Sequence, residues 1–503
     1  MSRAGRRRAA ARDSTQAPEP AFFQGGRYRP LSDADCRRII DAAFAILHNT
    51  GIGGAPEWLT TLLLERGARQ RDDGRITFPK DIVERVLALA SHRVSLPGFD
   101  DNRGLDIGNG YVHVGTGGAA VQTLDAANGE YRDSNLIDLY EMMRVLEHCD
   151  SVHYGIRPMI ARDMPTPLDL DINTAYACLR ATSKPIGVSF DNAGHVEKVT
   201  GMFDLALGGE HRFRKLPFCF AVIVHIVSPL RFADEGVDII RAAIEAGMPL
   251  QICTAGQAGA TSPAALAGAL AQGLAESIAG AMVVDAIKPG HPCIYAFLPF
   301  ISDLRTGAMT GGSGESALAN AAAAQLLHCL DMPATVSAGM TDSKIEDVQA
   351  GYEKGYSIAL AAQAGADMIN LSVGMLGSIM VASTESLLID NDMCGAILRT
   401  VRGIDVSDEL LDLDSIERVV CGEGHFLGEA QTLQLMKTEY VYPDLGDRQS
   451  VADWFDGGGL QIWERARQRV SNILAETQPT HLSTSADRRI RDAFAIKLNP
   501  EGL

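Results

Sequence analysis

Apolar residues fall into two alternating patterns along most of this chain. Short continuous runs of apolar or β-branched residues occur at 111–115, 151–157, 185–190, 218–227, 248–253, 292–298, 333–338 and 367–373. Between them lie longer amphipathic segments at 134–149, 169–182, 194–208, 231–246, 262–287, 314–331, 346–364 and 383–402. A run without polar alternation suits a strand covered on both faces, as in a parallel sheet with helices packed against it. Several segments end in a glycine or proline turn directly before the next run, as in Ala246-Gly-Met-Pro249 and Ala364-Gly-Ala-Asp367. Eight runs and eight segments predict an α/β fold, a (β/α)8 TIM barrel over 106–404. A doubly wound open sheet is the alternative arrangement of the same elements.

The flanks read differently. Residues 1–26 read as a disordered Arg-rich tail. An N-terminal helical segment is expected over 27–105, with helical patterns at 31–50, 56–67 and 79–91. Ser32 is a candidate N-cap, Pro56 and Pro79 suit early helix positions, and Gly67 suits a stop. A C-terminal helical extension is expected over 405–503, with Trp454 and Trp463 in it.

Charge narrows the partners. The 503 residues carry 45 Lys+Arg against 63 Asp+Glu, a formal charge of −18. Five of the arginines (Arg3, Arg6, Arg7, Arg8 and Arg12) lie in the first thirteen residues, so the remainder is more acidic than the total. Such a body repels phosphate backbones and attracts small cations, which excludes nucleic acid as the expected partner. Nine cysteines without a C-x-x-C read as buried free thiols of a cytoplasmic protein. There is no uninterrupted apolar stretch of 18 residues and no apolar h-region after the arginines, so neither a membrane span nor a signal peptide is expected.

Familiar motifs fit poorly. Gly115-x-Gly117-x-x-Ala120 matches a dinucleotide fingerprint on paper, but Val121 to Gly129 reads as a hairpin where the motif needs a helix. Gly311-Gly-Ser-Gly314 opens a helix and offers backbone N–H groups to an anion, without a P-loop lysine. The twelve histidines show no zinc spacing, so no metal of the chain's own is expected. His225 reads as a core residue. His113, alternating with Val112 and Val114, is a candidate for facing the barrel interior and the substrate.

The informative segment is Ser337-Ala-Gly-Met-Thr-Asp-Ser-Lys344, followed by Ile-Glu-Asp347 and Gln349-Ala-Gly-Tyr-Glu-Lys354. It is dense in polar groups at a strand's carboxyl end, where a barrel keeps its chemistry. On a helix starting near Glu346, Gln349, Tyr352, Glu353 and Tyr356 share one face. Asp342 and Lys344 either pair with each other, cap this helix, or join Gln349 and Glu353 around a ligand.

Gly339-Met-Thr-Asp-Ser-Lys344 with Asp347-x-Gln-Ala-Gly-Tyr-Glu-Lys354 resembles the trimethylamine methyltransferase family of corrinoid-dependent methylamine methyltransferases. Met309-Thr-Gly-Gly312 with Glu315, Gly365-Ala-Asp367, Glu385 with Ile389-Asp-Asn391, Gly424-His-Phe-Leu-Gly428 and Tyr442-Pro-Asp-Leu445 extend the resemblance over about 30–470. The family's fold is a (β/α)8 barrel. The resemblance implies methyl transfer from an amine to the Co(I) of a corrinoid carried on a separate protein. Members acting on trimethylamine carry pyrrolysine just after the glycine matching Gly339, whereas Met340 stands here. A thioether forms no imine adduct, so the expected substrate is a quaternary amine of the glycine betaine type. Trimethylamine, another tertiary amine, or a betaine-binding paralogue without turnover are the alternatives.

A quaternary cation is held by aromatic faces and negative charge. Candidates are Tyr154, Phe190, Phe297, Phe300, Tyr352 and Tyr356, with Asp191, Asp342 and Glu353. Asp342, Lys344 and Glu353 are the expected catalytic residues, with Met340, Gln349 and His113 at the substrate. A betaine carboxylate calls for an arginine, for which Arg157, Arg231 and Arg305 are the strand-end options; Arg157 joins the expected substrate contacts. Gly311, Gly312 and His425 are the expected contacts to the corrinoid or its carrier. Self-association of copies is compatible with the sequence.

Overall fold

The computed structural model describes residues 22–499, apart from Ala127 and Glu423. Its centre is an eight-stranded parallel sheet: β1 (His113–Thr116), β2 (Gly155–Ile156), β3 (Ile186–Val188), β4 (Cys219–Val224), β5 (Leu250–Thr254), β6 (Cys293–Phe297), β7 (Ala334–Ser337) and β8 (Met368–Val373). Neighbours run in the order β1-β8-β7-β6-β5-β4-β3-β2. A parallel bridge between Gly115 and Tyr154, and a 2.7 Å hydrogen bond from the His153 N–H to the Val114 carbonyl, join the two ends and close the barrel. The helices are α1 (Leu136–Glu147), α2 (Pro167–Ala181), α3 (Ala193–Ala206), α4 (Asp234–Ala246), α5 (Leu266–Ile287), α6 (Gly314–Cys329), α7 (Val348–Gln363) and α8 (Thr384–Arg402). All sixteen elements sit where the apolar pattern puts them, and the expected hairpin pairs Gln122–Leu124 with Tyr131–Asp133.

The barrel interior is solid. Ile156, Phe220, Ile294 and Met368 pack around Tyr154, whose ring occupies the space a side chain at Gly115 would need. The Tyr154 hydroxyl donates to Asn370 Oδ1 (2.6 Å); Asn370 donates to Gln251 (2.7 Å), and Gln251 to Thr335 (3.2 Å). A connected network of this kind keeps buried polar groups satisfied. An antiparallel hairpin, Val94–Leu96 with Leu105–Ile107, seals the amino-terminal end of the barrel.

That seal corrects the reading of His113. Its Nε2 lies 3.1 Å from the Asp106 carbonyl oxygen of the hairpin, its ring packs on Phe22 and His153, and burial pushes its pKa down to about 4. It is a neutral imidazole in the barrel floor, at the opposite end from the mouth. The tail reading is corrected as well. Residues 1–21 lie outside the described residues, but Phe22–Gly26 are packed: the Gly25 N–H donates to the Gly110 carbonyl (2.9 Å), and Gly25 passes so close to Ala362 that a Cβ would lie 2.1 Å from its carbonyl oxygen.

Helix α5 is apolar on nearly every side because it is covered on every side, by β5 and β6 within and by Asp33–Ala45, Glu57–Glu65 and Lys80–Leu89 outside. It is the one described helix long and apolar enough to cross a membrane, and 89% of its most apolar 18-residue stretch is buried inside the protein. Ser32 caps the first N-terminal helix as expected. At the other end, Ile462–Glu476 packs on α8 and α1, and Thr484–Ala493 on α3. Ahead of them in the chain, Arg399 and Arg402 of α8 both reach Glu439.

Candidate active site

The chain turns sharply out of β7 at Gly339, whose φ of +96° and close neighbours Ile358 and Ser372 leave no room for a side chain. Helix α7 then starts at Val348, with Asp347 as its N-cap; Asp347 Oδ1 accepts from the Ala350 N–H (3.0 Å) and from Ser343 Oγ (2.8 Å). Neither Asp342 nor Lys344 caps the helix. Lys344 does not pair with the Asp342 carboxylate either: its exposed Nζ donates to the Asp342 backbone carbonyl at 2.6 Å.

The Asp342 carboxylate draws three loops together. It accepts from the hydroxyls of Thr310 and Ser378 and from the N–H groups of Gly311 (2.9 Å) and Gly312 (3.4 Å). Burial pushes its carboxyl pKa up, but these hydrogen bonds together hold it below the ordinary value. The anion suited to the glycine-rich turn is thus an internal one. Gly311 and Gly312, expected to meet the corrinoid or its carrier, turn their N–H groups inward to Asp342.

Glu353 is fixed just as closely. It accepts from Thr341 Oγ1 (2.5 Å), the Asp342 N–H (2.8 Å) and Gln349 Nε2 (2.9 Å). A Cβ at Gly312 would lie 2.2 Å from Glu353 Oε2, and one at Gly311 would lie 2.6 Å from the Cβ of buried Met340. Gly312→Ala is therefore expected to lower stability by about 1–3 kcal/mol through overpacking. An unchanged urea midpoint would show that this loop yields freely.

The aromatic candidates divide. Tyr352 and Tyr356 stack with centroids 6.4 Å apart and 15° between planes, and the Tyr356 hydroxyl donates to the Gly312 carbonyl. Phe300 lies half-buried at the mouth against Cys253, Ala296 and Leu298. Phe297 points the other way, its ring against Gly273 of α5, so it is a packing residue and not part of the mouth. Tyr154 is likewise inside the barrel, its hydroxyl engaged and its pKa pushed well up by burial, which removes it from an accessible cage. Phe190 packs, half-buried, against the main core.

Of the arginines, Arg305 is neutralised by Asp303 (2.7 Å) and Arg231 is exposed on a two-residue strand. Arg157, directly after β2, is buried with its Nε unpartnered; burial works against its charge and the Asp171 carboxylate supports it. His425 is exposed between Leu413–Val420 and Ala430–Thr438, in the extension.

An open cleft of about 800 Å³ lies beside these groups, where the carboxyl ends of β5 to β8 meet the starts of α5 and α6. Asp303, Glu315, Asp342 and Glu353 line it, with Arg305 and Lys344. Four carboxylates against two cations give the cleft a net negative lining, which favours cations over anions. Met340 closes the space beneath Gly311. The hydroxyl partners Thr310, Thr341 and Ser378 escaped the reading of the sequence, although Thr310 and Thr341 stand inside motifs that it singled out. Lys354 and Asp390, also inside such motifs, form a buried ion pair (2.7 Å) between α7 and α8.

Comparison with known proteins agrees with these motifs. A family model described as trimethylamine methyltransferase (MTTB) matches residues 1–501. Trimethylamine methyltransferase MttB of Desulfitobacterium hafniense (strain DSM 10664 / DCB-2) is 28% identical over 466 residues, 92% of each chain. Glycine betaine methyltransferase of Desulfitobacterium hafniense (strain Y51) is 27% identical over 473 residues, 93% of this chain and 97% of that one. The solved monomethylamine methyltransferase (MtmB) of Methanosarcina barkeri aligns over 90% of this chain and 96% of its own, at 11% identity and a TM-score of 0.47. The chain belongs to the trimethylamine methyltransferase family and is a methyltransferase.

Proposed function

We propose that this methyltransferase, in the cytoplasm, moves a methyl group from a quaternary amine of the glycine betaine type to the Co(I) of a corrinoid carried on a separate protein. The observation that carries this reading is Met340: a fully buried thioether at the position where the family resemblance implies an imine-forming residue in members acting on trimethylamine. In the transfer the carbon–nitrogen bond breaks with its electron pair leaving on a neutral tertiary amine, and cobalt supplies the pair for the new bond. A quaternary nitrogen already leaves as a neutral amine, so no adduct is needed to activate it; positioning and exclusion of water supply the rate.

The cleft's carboxylates favour the cation over neutral solutes of its size. The stacked faces of Tyr352 and Tyr356 lie next to Glu353 and are suited to an ammonium. Asp342 and Glu353, held by their hydrogen bonds, act by shaping the loops and the field, and Lys344 sits on the cleft rim. A second reading, a tertiary amine as donor, has the trimethylamine methyltransferase among the relatives in its favour.

Mixing the protein with a Co(I) corrinoid protein and a panel of betaines, carnitine and trimethylamine separates the two. Growth of the methyl-Co(III) spectrum with a quaternary amine is the expected result. A change with trimethylamine alone overturns the proposal.

A further inference from the structure

Between Arg402 and Glu439 the chain leaves the body and returns, and the ion pair between these two residues closes the neck of the excursion. The intervening residues 404–438 form three short helices, Asp408–Leu411, Leu413–Val420 and Ala430–Thr438. Among their described residues only Val419 is buried. Eleven large apolar side chains in this stretch stand more than a third exposed, Leu413 and Val420 each at 70%. Leu413, Ile416 and Val420 repeat at i, i+3 and i+7, so they form one stripe along their helix. Capping by Asp412 and the Arg418–Glu429 ion pair hold this helix, but its apolar stripe gains no burial within this chain.

We infer that 404–438 is an arm through which two copies of this chain associate permanently. The area decides between occupants. Eleven such side chains present on the order of 600–700 Å² of apolar surface. Because apolar atoms make up roughly 60% of an interface, covering that surface takes roughly 1,000 Å² per partner. The total of about 2,000 Å² lies where permanent homodimers begin. A carrier protein that docks and leaves at each turnover would leave this apolar surface open between visits, and extensive open apolar surface favours aggregation. A second copy is always present in equal number.

The arm's charge sets the geometry. Residues 404–438 hold eight acids against Arg418 and Lys437. Two arms laid face to face would bring like charges together, so each arm crosses to the body of the other copy, a reciprocal arrangement with two-fold symmetry.

Sedimentation of the full chain at micromolar concentration tests this. The wild type is expected to run as a dimer or a larger even assembly, and Ile416→Glu/Val420→Glu as a monomer with the melting profile of the barrel retained. Leu89→Glu, at an exposed site on the Lys80–Leu89 helix, should leave the assembly intact. A second measurement does not depend on the variant's fold. Cys421 and Cys329 are both exposed on the single chain. In the wild type, maleimide should label Cys421 several-fold more slowly than Cys329. A monomeric wild type, an assembled double variant, or a Cys421 shielded only after addition of a corrinoid protein would each overturn the inference, the last in favour of that carrier.

Discussion

Asp390→Leu is expected to cost the fold about 3–5 kcal/mol, because it strands a buried ammonium. Lys354 is 1% exposed, and its Nζ donates to Asp390 Oδ2 (2.7 Å) and to Ser386 Oγ (2.6 Å). Asp390 also accepts from the Gly374 N–H (2.8 Å), so the pair ties α7, α8 and the loop after β8. Burial lifts the Asp390 carboxyl pKa although Lys354 works in the opposite direction, which marks how dry the site is. Glu346, whose second carboxylate oxygen has no partner, lies within reach of the Lys354 field but is itself pushed toward the neutral form by burial. Lys354→Met should be costly for the mirror reason. Replacing both, as Asp390→Leu/Lys354→Met, should cost less than either single change, since no charge is then left alone. Urea unfolding of the four proteins measures the cycle. A single-variant loss below 1 kcal/mol, or a double variant losing the sum, would show that the pair is not the buried unit described.

How much of this was legible in the sequence depends on what each feature requires. The sixteen barrel elements were, because a parallel sheet covered on both faces imposes continuous apolar runs, and its helices a different period. The same continuity hides which side chains point inward. In the run containing Ile294, Tyr295, Ala296 and Phe297 every residue is apolar, so nothing in the pattern shows that Ile294 and Ala296 face the lumen and Phe297 the helices. The sealing hairpin has three residues per strand, too few to show a period. Around the site, the strand-end rule located Asp342 and Glu353. Their partners were illegible because Thr310, Ser378 and Asp342 meet across 68 residues of chain. The motif residues outside the site turn out to join parts of the fold. Asp367 accepts from Gly110, Ala334 and His328 at the barrel floor, and Asp444 and Leu445 give their N–H groups to Asp392 of α8.

Asp342→Ala should reduce methyl transfer by about 100-fold or more while leaving a folded barrel. The carboxylate is a hub: its loss frees two hydroxyls and two N–H groups that hold Thr310 to Gly312 and Ser378 around the cleft. Displacement of a binding wall by about 1 Å is enough for a loss of that size. Asp342→Asn keeps one acceptor oxygen but turns an NH2 group toward donors, so it should fall between alanine and wild type. Ser378→Ala removes one donor of four, and its effect should stay near 1 kcal/mol in stability. The pH dependence has a definite sign. The folded pKa is depressed below the ordinary 3.8, so the stabilisation is fully present above 3.8 and is lost as pH falls through the folded value. The stability gap between wild type and Asp342→Asn should therefore be constant near neutrality and shrink below pH 3.8. Near-wild-type transfer by Asp342→Ala, or a gap that persists in acid, would mean that the loops are held by something other than this carboxylate.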